Sequence, residues 1–171
     1  MCIVFIFCKF IFMWHRNSQK RIYGKNLTYF VTFYPKNRIS FFENEFLCEL
    51  LKVIIECCEK TKNAELLGYK INPDHVHVLI KPGNEYNISE CIHSIKRISS
   101  FQINQHFKSQ SINKKFIWQK SYHDHVIRDE QDLTNHFQYL EKQWIKHKLK
   151  ENKYLFRKRG YKSALSNIHN L

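Results

Sequence analysis

The sequence predicts an α+β, ferredoxin-like domain: an antiparallel sheet with helices packed on one face and one further helix at its C-terminal end. Three observations point there. Four short blocks are rich in β-branched and aromatic residues, the composition of strands. Three longer stretches repeat apolar residues at helical spacing. The two kinds follow one another in the order β-α-β-β-α-β-α, the split βαβ plan.

The first block is Leu27 to Tyr34 (LTYFVTFY), read as a strand. Glu43 to Lys60 follows, with apolar residues at 46, 47, 50, 51, 54, 55 and 58 forming one helical stripe. Leu66–Ile71 (LLGYKI) and His75–Ile80 (HVHVLI) read as two strands joined by Asn72-Pro73-Asp74, residue types that suit a tight turn. Ile88 to Gln105 returns to helical spacing, with Ile88, Cys91, Ile92, Ile95 and Ile98 on one side. A short extended piece is expected at Tyr122 to Arg128, and Asp129 or Asp132 then caps a last helix running to about Leu149. The order leaves the sheet's second face available to bind something.

At 171 residues the chain holds one domain with a real core and is short for two. Four glycines and three prolines leave no room for a long flexible linker. Three segments are expected: an apolar extension over residues 1–14, a folded domain over 15–150 and a basic, aromatic tail over 151–171. The extension (CIVFIFCKFIFMW from Cys2 to Trp14) is too short to span a bilayer and lacks the basic start and cleavage site of a secretory signal. Met13 is expected to be the natural start. The six cysteines contain no CxxC pair, which excludes the common zinc-finger spacings and fits a reducing cytoplasm.

The charge is less ordinary. Lys and Arg total 28 against 15 Asp and Glu, a formal +13. Such a field draws in polyanions, because basic side chains release counterions from phosphates. The basic residues lie among aromatics rather than on one amphipathic helix, which favours nucleic acid over a membrane surface.

Two constellations can carry chemistry. In a strand, His75 and His77 project to the same face while Val76 points the other way. Two imidazoles side by side can hold a divalent metal and leave positions open to water or a phosphate oxygen. The same pair serves equally as two surface or core-satisfied histidines, and a second HxH stands at His123-Asp124-His125. On the last helix, Tyr139 and Gln143 lie one turn apart on one face. A phenol is a poor nucleophile at neutral pH, and a metal on the electrophile's phosphate lowers the demand on it. Gln143 offers an oxygen to that metal. Taken alone, the pair is an exposed aromatic beside a solvated polar residue. Tyr122, next to the second HxH, is the competing nucleophile.

The basic residues Lys96, Arg97, Lys120, Arg128 and Lys146, with part of the 153–162 tail, are expected to line or flank one face that binds nucleic acid. Trp118 stands among them, either as a stacking platform or as a lid on the core.

Taken together, NPDHVHVLIKP at 72–82, FIWQKSYHDHVIRDEQD at 116–132 and HFQYLEKQWIKHKL at 136–149 resemble the single-tyrosine HUH transposases. The nearest group is the REP-associated tyrosine transposases, relatives of the smallest insertion-sequence transposases. The resemblance covers roughly residues 15 to 150. It implies His75 and His77 as ligands of Mg²⁺ or Mn²⁺, Gln143 as third ligand and Tyr139 as nucleophile. It also implies single-stranded or hairpin DNA as substrate and a covalent 5′-phosphotyrosine intermediate. A homodimer is compatible with it. These transposases typically carry Asn-Pro after the tyrosine where Gln143-Trp144 stands here. The competing function is a non-catalytic nucleic-acid binder that stacks a strand on Phe30, Phe33 and Tyr34.

Overall fold

The computed structural model describes residues 23–24 and 26–158. The apolar extension, Met13 and the last part of the tail lie outside the described residues. Five strands form one antiparallel sheet in the order β4-β1-β3-β2-β5: β1 Tyr29–Phe33, β2 Glu65–Asn72, β3 His75–Lys81, β4 His123–Val126 and β5 Leu155–Arg157. Three helices connect or follow them: α1 Glu45–Thr61, α2 Ile88–Ser109 and α3 Glu130–Lys146.

Local chemistry sets the boundaries. Asn44 caps α1 by accepting from the Leu47 amide at 3.1 Å. Asn87 and Glu90 form a reciprocal capping box at the start of α2. Of the two aspartates expected to cap α3, Asp129 does so, accepting from the Asp132 amide at 2.8 Å. The expected tight turn is a two-residue hairpin of Pro73 and Asp74 that pairs Asn72 with His75. Helix α2 runs four residues past its expected end, and α3 stops at Lys146 rather than near Leu149.

The sheet separates two unlike layers. One face carries Tyr29, Val31, Phe33, Tyr69, Val76, Val78 and Ile80 against α1 and α2, in one large apolar cluster. The other face carries Phe30, Leu67 and Leu79 against Leu133, Phe137 and Leu140 of α3. The face expected to stand open is therefore partly covered by the last helix. Gly68 permits that close approach. A Cβ built there would meet the Phe156 carbonyl at 3.0 Å and Leu140 at 3.2 Å.

Strand β5 adds to the element order that the sequence predicts. Leu155–Arg157 pairs with Gly68, Tyr69 and Lys70 of β2, so part of the basic tail closes a sheet edge. The buried Lys70 ammonium is held by the Lys153 carbonyl, which fastens the incoming segment to β2. Burial depresses its pKa to about 8.

Candidate active site

Alternation along β3 sends Val76, Val78 and Ile80 into the large core and His75, His77 and Leu79 toward α3. Each imidazole is then oriented by a neighbour. Asp74 Oδ1 lies 2.7 Å from His75 Nδ1, and Thr32 Oγ1, cross-strand from His77, lies 2.8 Å from His77 Nδ1. A carboxylate only accepts, so His75 carries its proton on Nδ1 and offers Nε2 as a lone pair. The two Nε2 atoms face one another at 3.0 Å. Two nitrogens bound at about 2.1 Å and right angles to one ion sit about 3 Å apart, so the spacing fits a shared cation.

Helix α3 brings further acceptors to the same place. Gln143 is almost fully buried within reach of both imidazoles; its Nε2 donates to the Tyr139 carbonyl at 3.3 Å, while its Oε1 receives no well-directed hydrogen bond. Asn72 Oδ1 and His147 Nε2 are likewise buried without a partner. Asn72 Nδ2 reaches His75 Nε2 at 3.1 Å, and the His147 ring lies 4.8 Å from that of His75. An unsatisfied buried acceptor costs about 1–3 kcal/mol, so orphaned polar atoms beside this imidazole pair mark a place where a bound cation or water would be stabilising.

The electrostatics agree. Burial lowers the His75 pKa although Asp74 works against it. Burial, with His75 beside it, lowers His77 to about 3. Both rings are therefore neutral at physiological pH, the form that binds metal.

Tyr139 stands over this cluster, half-exposed, its ring 5.2 Å from His77 and edge-on to Phe30 at 5.7 Å. The Lys146 ammonium lies 5.5 Å from the Tyr139 ring centre. Tyr122 is elsewhere. Its hydroxyl is 2.7 Å from Ser89 Oγ, which in turn meets Tyr23, on the α2 side of the sheet. The second HxH does not enter the cluster either: His123 packs edge-on against Tyr34 and His125 meets Asp132.

The five expected DNA-contacting residues do not share one face. Arg97 and Lys120 line a cavity of about 700 Å³ with Trp118 and Tyr122, between α2 and the segment before β4. Lys96 borders it too, but its ammonium is held by the carbonyls of Gln119, Lys120 and Ser121. Arg128 is exposed at the start of α3, and Lys146 stays with Tyr139. Trp118 is a lid on the core: it is buried against Phe33 and Phe116 and donates to Ser99. Phe33 is wholly buried under the helices and Phe30 lies under α3, which leaves Tyr34, half-buried, as the one ring of the competing function's three that bases could reach.

A sequence model of transposases of the IS200 type matches residues 24–143. The chain belongs to the IS200-like transposase family. A Haemophilus influenzae protein described as a REP-associated tyrosine transposase is 27% identical over 137 residues, 77% of each chain. The structure of a REP-associated tyrosine transposase bound to a REP hairpin superposes with a TM-score of 0.63 at 23% identity, over 76% of this chain and 73% of that one. A transposase structure from Deinococcus radiodurans R1 superposes with a TM-score of 0.51 at 23% identity, over 74% and 97%. These last two likenesses bear on the fold: both share the α+β architecture described above. No helix among the described residues of this IS200-like transposase is long and apolar enough to cross a membrane.

Four site residues escape a reading of the sequence. Asp74 and Thr32 orient the imidazoles, and Thr32 reaches His77 only through the β1–β3 register. Asn72 arrives through the hairpin. His147 had a signal, since Tyr139, Gln143 and His147 follow one another at intervals of four.

Proposed function

We propose that this IS200-like transposase cleaves and rejoins single-stranded or hairpin DNA, with Tyr139 as nucleophile and His75, His77 and Gln143 as ligands of one divalent ion. The observation that carries the proposal is the convergence beneath Tyr139 of two neutral imidazoles, their Nε2 atoms 3.0 Å apart, with the buried Gln143 side chain, a donor set that a divalent cation fits. Mg²⁺ or Mn²⁺ there would withdraw charge from a phosphate oxygen of the DNA. Asp74 and Thr32 hold the two ring planes so that both lone pairs face the ligand position.

Tyr139 supplies the bond-forming oxygen. Its phenol oxygen attacks the phosphorus, the bond from phosphorus to the 3′-oxygen breaks, the phenol gives up its proton and the departing 3′-oxygen takes one up. The DNA 5′-phosphate is then esterified to Tyr139, and a 3′-hydroxyl reverses the step to join new ends. No nucleotide cofactor is needed, because the covalent ester conserves the bond energy. A hairpin substrate is supported by the likeness to the transposase bound to a REP hairpin. Arg97 and Lys120, with Lys146 beside the nucleophile, are proposed to bind phosphates, so affinity should fall steeply with salt.

The test is a denaturing gel after incubation with hairpin-bearing single-stranded DNA and Mn²⁺. The wild-type chain and Tyr122→Phe should give a covalent protein–DNA band, and Tyr139→Phe none. A band that persists in Tyr139→Phe and disappears in Tyr122→Phe would move the nucleophile to the other side of the sheet.

A further inference from the structure

A second group of ligand-type side chains stands on the other side of Phe30, and the proposed reaction uses none of it. His125 comes from the edge strand β4, whereas Asp132 and His136 lie one turn apart on α3. Asp132 Oδ2 is 2.8 Å from His125 Nε2 and accepts from the Arg128 amide at 3.1 Å. Asp132 Oδ1 is 3.0 Å from His136 Nδ1, which also lies 2.8 Å from the Asp132 carbonyl. The two imidazoles stack at 4.8 Å and 21°, and one donor atom from each of the three side chains falls within 4.8 Å of the others.

We infer that His125, Asp132 and His136 form a second metal site, distinct from the His75–His77 cluster, which fastens β4 to the helix that carries Tyr139. The ligand set is two imidazoles and one carboxylate, which selects Zn²⁺, Co²⁺ or Ni²⁺ over Mg²⁺ or Ca²⁺. It also places a negative charge where a cation can use it, in a chain of formal charge +13. All three side chains are between one-fifth and two-fifths exposed, so an ion can enter and keep water on its remaining positions. The nitrogens now facing the carboxylate would present lone pairs, with the ring protons moved to the outward nitrogens.

The location gives the ion a consequence. His136 borders a hollow of about 250 Å³ with Phe30, Asn135 and Tyr139. The Phe30 ring touches His136 at 4.5 Å and His77 at 5.2 Å, so the two sites share a wall and no ligand. An ion joining β4 to the first two turns of α3 fixes the half of the helix that leads into Tyr139.

The experiment is metal counting and thermal unfolding on the chelator-stripped, full-length chain. Titrated with Co²⁺, the wild type should bind one ion per chain more than His125→Gln or His136→Gln. In a His75→Gln/His77→Gln background, Zn²⁺ at about a hundredfold above its Kd should still raise the Tm by about 5–10 °C. Adding Asp132→Asn, which keeps a hydrogen-bonding group beside the Arg128 amide, should abolish that rise. An ion count unchanged in His136→Gln, or a Zn²⁺ response unchanged by Asp132→Asn, would reduce the cluster to an ordinary hydrogen-bonded network. Because this response is read without His75 and His77, its failure is separable from any failure of the DNA-cleavage proposal.

Discussion

The two faces of the sheet are built from the same strands and could hardly differ more. Toward α1 and α2, strand side chains are apolar and join one cluster with Leu51, Ile55, Ile92 and Ile95. Toward α3, apolar packing is confined to a small group around Leu79 and Leu140, and the other buried side chains are polar, chiefly imidazole and amide. Every β-strand contributes alternately to both, so a single sequence block such as HVHVLI writes stability and chemistry at once. The first face holds the sheet together; the second tolerates acceptors that nothing in the protein satisfies. Sites of that kind are where local rules are broken for function.

The largest change expected comes from removing a proposed metal ligand. His77→Ala should lower DNA cleavage by about a thousandfold or more, since a catalytic metal supplies several kcal/mol. DNA affinity should stay within about threefold, because His77→Ala leaves the proposed phosphate-binding residues Arg97, Lys120 and Lys146 in place. Rate assays paired with filter binding would read both. The mirror experiment is Phe33→Ala on the other face, where the ring is fully buried and 4.9 Å from that of Trp118. It should cost about 3–5 kcal/mol in urea unfolding. The surviving folded fraction should retain its metal affinity.

Gln143→Leu sharpens the comparison further. Removing an orphaned buried oxygen should leave the metal-free chain as stable as the wild type or about 1 kcal/mol more so, while weakening Mn²⁺ binding. Loss of stability equal to a core truncation would mean that Gln143 is structural. A further effect is one of pH. The unfolded chain protonates His77 near 6.5, whereas the folded chain resists until about 3. Across that window the unfolded state binds more protons, so stability is full above about 6.5 and falls as pH drops. For chelator-treated protein, His77→Gln should flatten the part of this loss between about pH 6.5 and 5.

Much of this was legible because the informative features are periodic. The apolar stripe of α1, the alternation of HVHVLI and the i,i+4 pair Tyr139–Gln143 each point to a face before any fold is known. The features that escaped depend on register or on distant chain. Strand β5 is three residues long and forms only because β2 offers an edge at Gly68 to Lys70. Thr32 finds His77 across a sequence separation of 45. The basic residues failed to converge for a related reason. Lys96 and Lys146 both read as solvated positive charges, yet one is held by backbone carbonyls on the α2 side and the other lies beside Tyr139.

In the proposed reaction, the polar part of the α3 face would hold a cation beneath the Tyr139 nucleophile. Anomalous diffraction from crystals of the full chain grown with Mn²⁺ tests it most directly. A peak within about 2.0–2.3 Å of His75 Nε2, His77 Nε2 and Gln143 Oε1, with the Tyr139 hydroxyl facing its open side, is the expected result. A site without density while Mn²⁺ binds elsewhere on the chain, or a Gln143 oxygen turned away from both imidazoles, would contradict it.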